Sequence, residues 1–257
     1  MVDVTGKLGN TRGRRILRQF SAIACGLSCV GALACGPRAR IPLRPTDPAS
    51  LPNALEPGAP RDALAKSLAP VLYLQDDEWF PLERVVAVLH PSRPIIAYHL
   101  LWRDDVHGSW IPFTVPTDQE IVWVGYDSTG APTDLWSFWH GKILHSDWRD
   151  RGTVTVDVQW GKHGSLPRGA ILADLPGFQS LRSFFALTLI GAPDMWLGKL
   201  TRPGPGCFCG SYRRYRAFNR PLVLGDRVDV VAETDDPKAV LLAVFGKPYS
   251  KKRAWPD

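Results

Sequence analysis

Four side chains in the middle of the chain are of the types that bind metal ions or move protons: Asp118, Glu120, His140 and His163. Asp118 and Glu120 are two residues apart, so in an extended segment they project to the same side. If Glu120 starts one strand and His140 and His163 end others, two carboxylates and two imidazoles converge at one rim of a sheet. That set suits Zn, Mn or Fe, and its mixed oxygen and nitrogen donors also suit a softer-than-usual Ca site. A divalent cation held there would activate water for hydrolysis. Glu120 is then the catalytic candidate, whose change to Gln should abolish turnover and spare the fold. Without a metal the same groups suit acid–base chemistry. The plain alternative is four polar strand-end groups, the histidines bonded to nearby backbone.

Other groups carry less. His99 lies inside an apolar run, and His107 and His145 sit in polar segments read as loops. Asp104-Asp105, Asp147 and Asp150 read as solvated turn residues. Trp102, Trp110, Trp123, Trp136, Trp139, Trp148 and Trp160 have the ring surface to line a glycan- or lipid-binding face, but most alternate with apolar residues, as core tryptophans do. Arg213, Arg214, Arg216 and Arg220 beside Tyr212 and Tyr215 suit phosphate headgroups, an acidic partner or a solvated face. Cys207 and Cys209 are two residues apart, which suits free thiols or a strained bridge better than a metal site lacking a second pair. The sequence holds no Ser-His-Asp signature, phosphate loop, dinucleotide fingerprint or zinc-peptidase helix motif.

The elements that must position these residues are mostly strands. Arg61 to Leu68 suits a short helix that Pro70 ends, and Val71 to Leu74 a buried strand. Pro81 to Leu89 is expected to be a helix with proline in its first turn. Pro94 to Trp102 reads as a strand, and Glu120 to Tyr126 and Asp134 to Trp139 as a hairpin around Asp127-Ser128-Thr129-Gly130. Thr153 to Trp160 alternates with the period of a half-buried strand. Phe178 to Ile190 reads as a helix, and Arg227 to Glu233 as a strand. This order predicts a mainly β domain, an antiparallel sheet or β-sandwich with a few peripheral helices.

The first 35 residues have another character. A basic start with Lys7, Arg12, Arg14, Arg15 and Arg18 leads to an uncharged run from Phe20 to Ala34, then Cys35. Fifteen apolar residues rise about 22 Å as a helix, short of a roughly 30 Å hydrocarbon core, so a cleaved signal peptide fits better than a membrane span. Ala32-Leu33-Ala34-Cys35 looks like a lipobox, with a lipid expected on the Cys35 thiol. Seven prolines between residues 36 and 60 make the next stretch an extended tether. The expected organisation is a signal peptide over 1–35, a tether over 36–60 and one β-rich domain over 61–257, in a protein exported and lipid-anchored in the bacterial envelope. The formal charge of +6 does not point to nucleic acid. Five bases against one acid lie before Cys35, leaving 26 against 24 for the rest.

Ala69-Pro70-Val71-Leu72-Tyr73-Leu74-Gln75-Asp76-Asp77-Glu78-Trp79-Phe80-Pro81 resembles the opening motif of proteins similar to vacuolar sorting protein 62: Ala-Pro, an apolar strand, acids, an aromatic and Pro. Asp118-Gln119-Glu120-Ile121-Val122 resembles their Asp-Trp-Glu and strand, and His140-Gly141 and Lys162-His163-Gly164 their later histidine-glycine strand ends. The Asp-Trp-Glu segment is also similar to that of the necrosis-inducing cytolysins, whose acids and histidines hold a divalent cation in a β-sandwich. Here Gln119 replaces the Trp, and Thr117 stands where the cytolysins have His. The resemblance covers residues 69–169 and implies a fold more than an activity.

Three functions follow. The first is a surface lipoprotein whose domain binds a ligand or an envelope partner (a protein, glycan or lipid headgroup), with a divalent cation as its possible bridge. The second is a metal-dependent hydrolase built on the Asp118, Glu120, His140 and His163 cluster. The third is an envelope scaffold without a small-molecule site, which alanine at all four positions would leave nearly untouched.

Overall fold

The structure, a computed structural model, describes residues 50–76, 78, 80–103, 118–139, 141–159, 161, 163–170, 218–246 and 255–257. These lie within one unit spanning residues 38–257. Cys35 and the leader, most of the tether, His140, the helix expected over 178–190, Cys207, Cys209, Arg213, Arg214 and Arg216 fall outside the described residues.

The expected first helix is α1 (Pro60–Ser67), with proline in its first turn, where no amide donor is needed. Its buried Asp62 accepts from the Gly58 N–H and from Lys66 Nζ, both at 2.9 Å, which satisfies a carboxylate taken out of water. The Tyr98 hydroxyl donates to the Ala65 carbonyl at 2.7 Å and ties the helix to the sheet behind it.

Among the described residues ten strands follow in chain order: β1 (Val71–Gln75), β2 (Leu82–Leu89), β3 (Ile95–Trp102), β4 (Asp118–Tyr126), β5 (Pro132–Trp139), β6 (Lys142–Asp147), β7 (Thr155–Val158), β8 (Ser165–Pro167), β9 (Phe218–Val223) and β10 (Val230–Glu233). A second helix, α2 (Lys238–Phe245), comes after them. Six strands form one sheet in the order β10-β2-β3-β4-β5-β6, and four form another in the order β8-β7-β1-β9. Pairing is antiparallel except for β10 with β2 and β1 with β7. The fold is therefore the expected mainly β sandwich with few helices, built from two mixed sheets.

Alternation sets the layers. Leu72 and Leu74 of β1 and Val156 and Val158 of β7 meet Val85, Tyr98, Leu100, Trp102, Val122 and Val124 of the larger sheet in one core between the sheets. The opposite face of the larger sheet, with Val86, Val88, Ala97 and Trp123, is covered by Val240, Leu241, Val244 and Phe245 of α2. An eight-residue helix is marginal by itself. Four buried side chains, at about 1.5–3 kcal/mol each, are what hold α2 in place.

The helix expected over Pro81 to Leu89 is instead strand β2. Both of its faces are covered, Val85, Ala87 and Leu89 by one core and Val86 and Val88 by the other. A strand buried on both sides loses the polar–apolar alternation that would mark it, and its three valines favour the extended backbone. His145 is likewise not in a loop but on β6, an edge strand whose exposed residues mask its period.

Gly225 opens a 3-10 turn that comes so close to the end of α1 that a Cβ there would lie 2.5 Å from the Lys66 carbonyl oxygen. Backbone cannot yield as a flexible side chain does, so Gly225→Ala is expected to cost about 1–3 kcal/mol in chemical denaturation. A loss below about 0.5 kcal/mol would mean the turn and α1 are not held together.

Candidate functional site

The site lies where β3 ends and β4 begins. Trp102 and Asp118 are direct partners in the ladder. Asp118 and Glu120 share the face of Val122 and Val124, so their carboxylates stand at the end of the core between the sheets. The smaller sheet contributes His163, from the turn joining β7 to β8. That turn is closed by the Gln159 N–H donating to the Gly164 carbonyl and the His163 N–H to the Gln159 carbonyl, both at 2.9 Å. His163 has φ of 56°, a left-handed conformation uncommon for a residue with a side chain.

What holds it there is visible around the ring. His163 Nδ1 lies 3.0 Å from Asp118 Oδ2, and Nε2 lies 3.4 Å from Glu78 Oε1. The imidazole stacks on Trp102 with centroids 4.2 Å apart and planes 4° from parallel, and Phe80 meets its edge. Glu78 also accepts from the Phe80 N–H at 3.1 Å and the Gly161 N–H at 2.8 Å. The side chains of His163 and Glu78 are 0% and 2% exposed, whereas that of Asp118 is 15% exposed. Asp118 is thus the member of the network that solvent reaches.

Burial disfavours charge on both inner members. For His163 it pulls the pKa down, but the Glu78 and Asp118 carboxylates outweigh it and push the value up to about 9. For Glu78 burial raises the pKa, but the charge and hydrogen bond of His163 and the two backbone donors bring it below the usual carboxylate value. A His163 pKa raised this far favours the imidazolium at neutral pH, in which both ring N–H groups donate, one toward Asp118 and one toward Glu78.

The structure thus brings Asp118 and His163 into contact and sets Glu120 beside them, buried, two residues along β4. His140 lies outside the described residues. As placed, both ring nitrogens of His163 face carboxylates, so an ion at either nitrogen would take the place of that contact. Among the described residues no group of three or more His, Cys, Asp or Glu side chains is arranged to hold an ion. From the sequence, Glu78 has no site role of its own and Trp102 reads as one of the core tryptophans. The signal for Glu78 was an acid at the end of a strand flanked by aromatics, a setting that buries it.

No protein-family model matches the chain, and no curated protein matches it, so the resemblance to vacuolar sorting protein 62 has no support there. Among solved structures the chain is similar to a triple mutant of NLPPya, at 15% identity and a TM-score of 0.35 over 48% of this chain and 75% of that one. It is similar to NLPPya in complex with glucosamine, at 15% identity and a TM-score of 0.34 over the same shares. It is also similar to Necrosis and Ethylene inducing Protein 2 from the causal agent of cocoa's witches' broom disease, at 13% identity and a TM-score of 0.30 over 47% of this chain and 77% of that one. These toxins belong with the weaker of the two resemblances, at a level of superposition too low to carry function across. The sandwich rests on its own strand pairing.

One further feature bears on ligands. Trp102 Nε1 is buried and has no hydrogen-bond acceptor among the described residues. It belongs to the residue paired with Asp118 and stacked on His163. A buried indole N–H without a partner is a cost that a water or a ligand oxygen removes.

Proposed function

We propose that the chain is an exported binding protein of the bacterial envelope. In this reading residues 1–35 are a signal peptide, a lipid on Cys35 anchors the protein, residues 36–60 are a tether, and residues 61–257 form the binding domain. The ligand or envelope partner meets the domain at the Asp118 rim. The observation that carries this is the buried Trp102 Nε1, without an acceptor among the described residues, on the residue paired in the ladder with Asp118, whose carboxylate is partly exposed. A group with both an oxygen acceptor and a donor, such as a hydroxyl of a glycan or lipid headgroup, answers both at once. The imidazole beneath fixes the carboxylate, so little ordering is left to do on binding.

Binding is favoured over turnover by the state of His163. An imidazole whose two nitrogens both donate to carboxylates has no lone pair with which to take a proton. If a divalent cation bridges the ligand, Asp118 and Glu120 are the groups left to hold it.

The test compares the full chain with an Asp118→Asn, Glu120→Gln variant, both after incubation with Zn, Mn and Ca, by elemental mass spectrometry and by photo-crosslinking from position 119 in intact cells. Near-stoichiometric metal lost in the variant assigns cation-bridged binding. A crosslinked partner lost in the variant without metal assigns direct binding. Neither signal, with stability unchanged, would leave a scaffold and end the proposal. Cys35→Ala should move the chain out of the membrane fraction; if it does not, the anchor is wrong.

A further inference from the structure

At the far end of the larger sheet, on its outer face, lies a cavity of about 220 Å³ whose lining includes Arg93, Ile95, Gly125, Asp134, Trp136 and Asp257. Ile95 pairs with Gly125, and Trp102 with Asp118. Seven residue steps along β3 therefore separate this cavity from the Asp118 rim, about 23 Å at the rise of a strand. Trp136 packs against the outer core and not the core between the sheets. The two places share no side chain.

The walls are held firmly. His145 stacks on Trp136 with centroids 4.9 Å apart, and its Nε2 lies 2.7 Å from Asp134 Oδ1. Arg93 Nη1 donates to the Pro256 carbonyl at 3.1 Å, and its guanidinium lies over the Trp255 ring. Gly125 is needed in the floor: a Cβ there would lie 3.0 Å from Asp134 Cβ and 3.1 Å from the Trp136 ring. The missing side chain lets Asp134 and Trp136 settle against β4.

We propose that this cavity is a saccharide subsite that takes one pyranose ring, its C–H face against the Trp136 indole and its hydroxyls shared between the Asp134 carboxylate and the Arg93 guanidinium. Other ligand classes fit the lining less well. An alkyl chain would strip water from Asp134 and Arg93 and give nothing back. A cation meets Arg93, and an anion meets Asp134 and Asp257. A neutral polyol uses an acceptor and a donor together and still has an apolar face for the aromatic wall. The volume is below the roughly 300–1,000 Å³ of drug-sized sites, which suits a single ring.

The test is saturation-transfer NMR on the full chain in sugar-free detergent micelles, with the methyl pyranosides of glucose, mannose, galactose and N-acetylglucosamine as probes. At least one is expected to bind with Kd between about 0.1 and 10 mM. Trp136→Ala and Asp134→Asn should each weaken it about tenfold or more, and Asp226→Asn, an exposed acid outside both places, should leave it unchanged. Should Trp136→Ala lose the fold, Asp134→Asn and Arg93→Ala decide in its place, since neither side chain fills the core. The proposal is overturned if no probe shows transfer up to about 50 mM, if binding ignores the cavity variants, or if it follows Asp226→Asn.

Discussion

His163→Leu should lower the unfolding free energy by about 3–5 kcal/mol, one of the two largest single effects expected in this chain. The loss comes less from the imidazole than from what it leaves behind. Glu78 has a side chain 2% exposed, and His163 supplies counter-charge to it. The Phe80 and Gly161 amides would remain, but two neutral donors do not replace a cation in a dry site. The stack on Trp102 goes as well. Glu78→Leu added to His163→Leu should recover part of the loss, because an apolar pair leaves no charge buried. Denaturant titration of the single and double variants checks both statements. A single-variant loss below about 1 kcal/mol would mean that Glu78 is not held as an ion.

The second large effect is on pH dependence. An unfolded histidine titrates near 6.5 and His163 in the fold at about 9. A folded pKa raised above the unfolded one gives stability that is full below about 6.5 and is lost as pH rises through about 9. The gap corresponds to a decline on the order of 3 kcal/mol across that window. Glu78 acts in the other direction: its lowered pKa gives stability present above the usual carboxylate value and lost as pH falls through the folded one. Stability should therefore be highest in the mildly acidic to neutral range. In His163→Gln the alkaline decline should disappear, and if it persists unchanged its source is another group.

Much of this architecture was legible in the residues, and the reasons for the rest are physical. The Asp127-Ser128-Thr129-Gly130 turn made the β4–β5 hairpin plain, because Asp127 Oδ1 accepts from the Thr129 and Ala131 amides and closes the turn locally. Pro60 and Pro70 likewise bracketed α1. Strand β2 was misread because burial on both faces removes its alternation, and β8 is too short to show a period. Of the candidate site, the spacing of Asp118 and Glu120 gave their shared face correctly. That His163 reaches Asp118 could be posed only as a condition, since it depends on how β7 and β8 lie across from β4. The partner of Glu78 was beyond local reading, since 85 residues separate it from the histidine it faces. The Trp136 cavity was missed for the same reason: Asp134, Trp136 and His145 meet only once β6 is recognised as a strand beside β5.

The measurement that bears most directly on the account is nitrogen NMR of the full chain carrying 15N-labelled histidine, at about pH 7.5 and with or without added zinc. The His163 resonances, assigned by their loss in His163→Gln, should show both ring nitrogens protonated and should not move when zinc is added. A neutral tautomer at that pH, or a nitrogen that shifts on zinc binding, would contradict the carboxylate–imidazolium–carboxylate network. The site would then have to be rebuilt around a metal-ligating histidine.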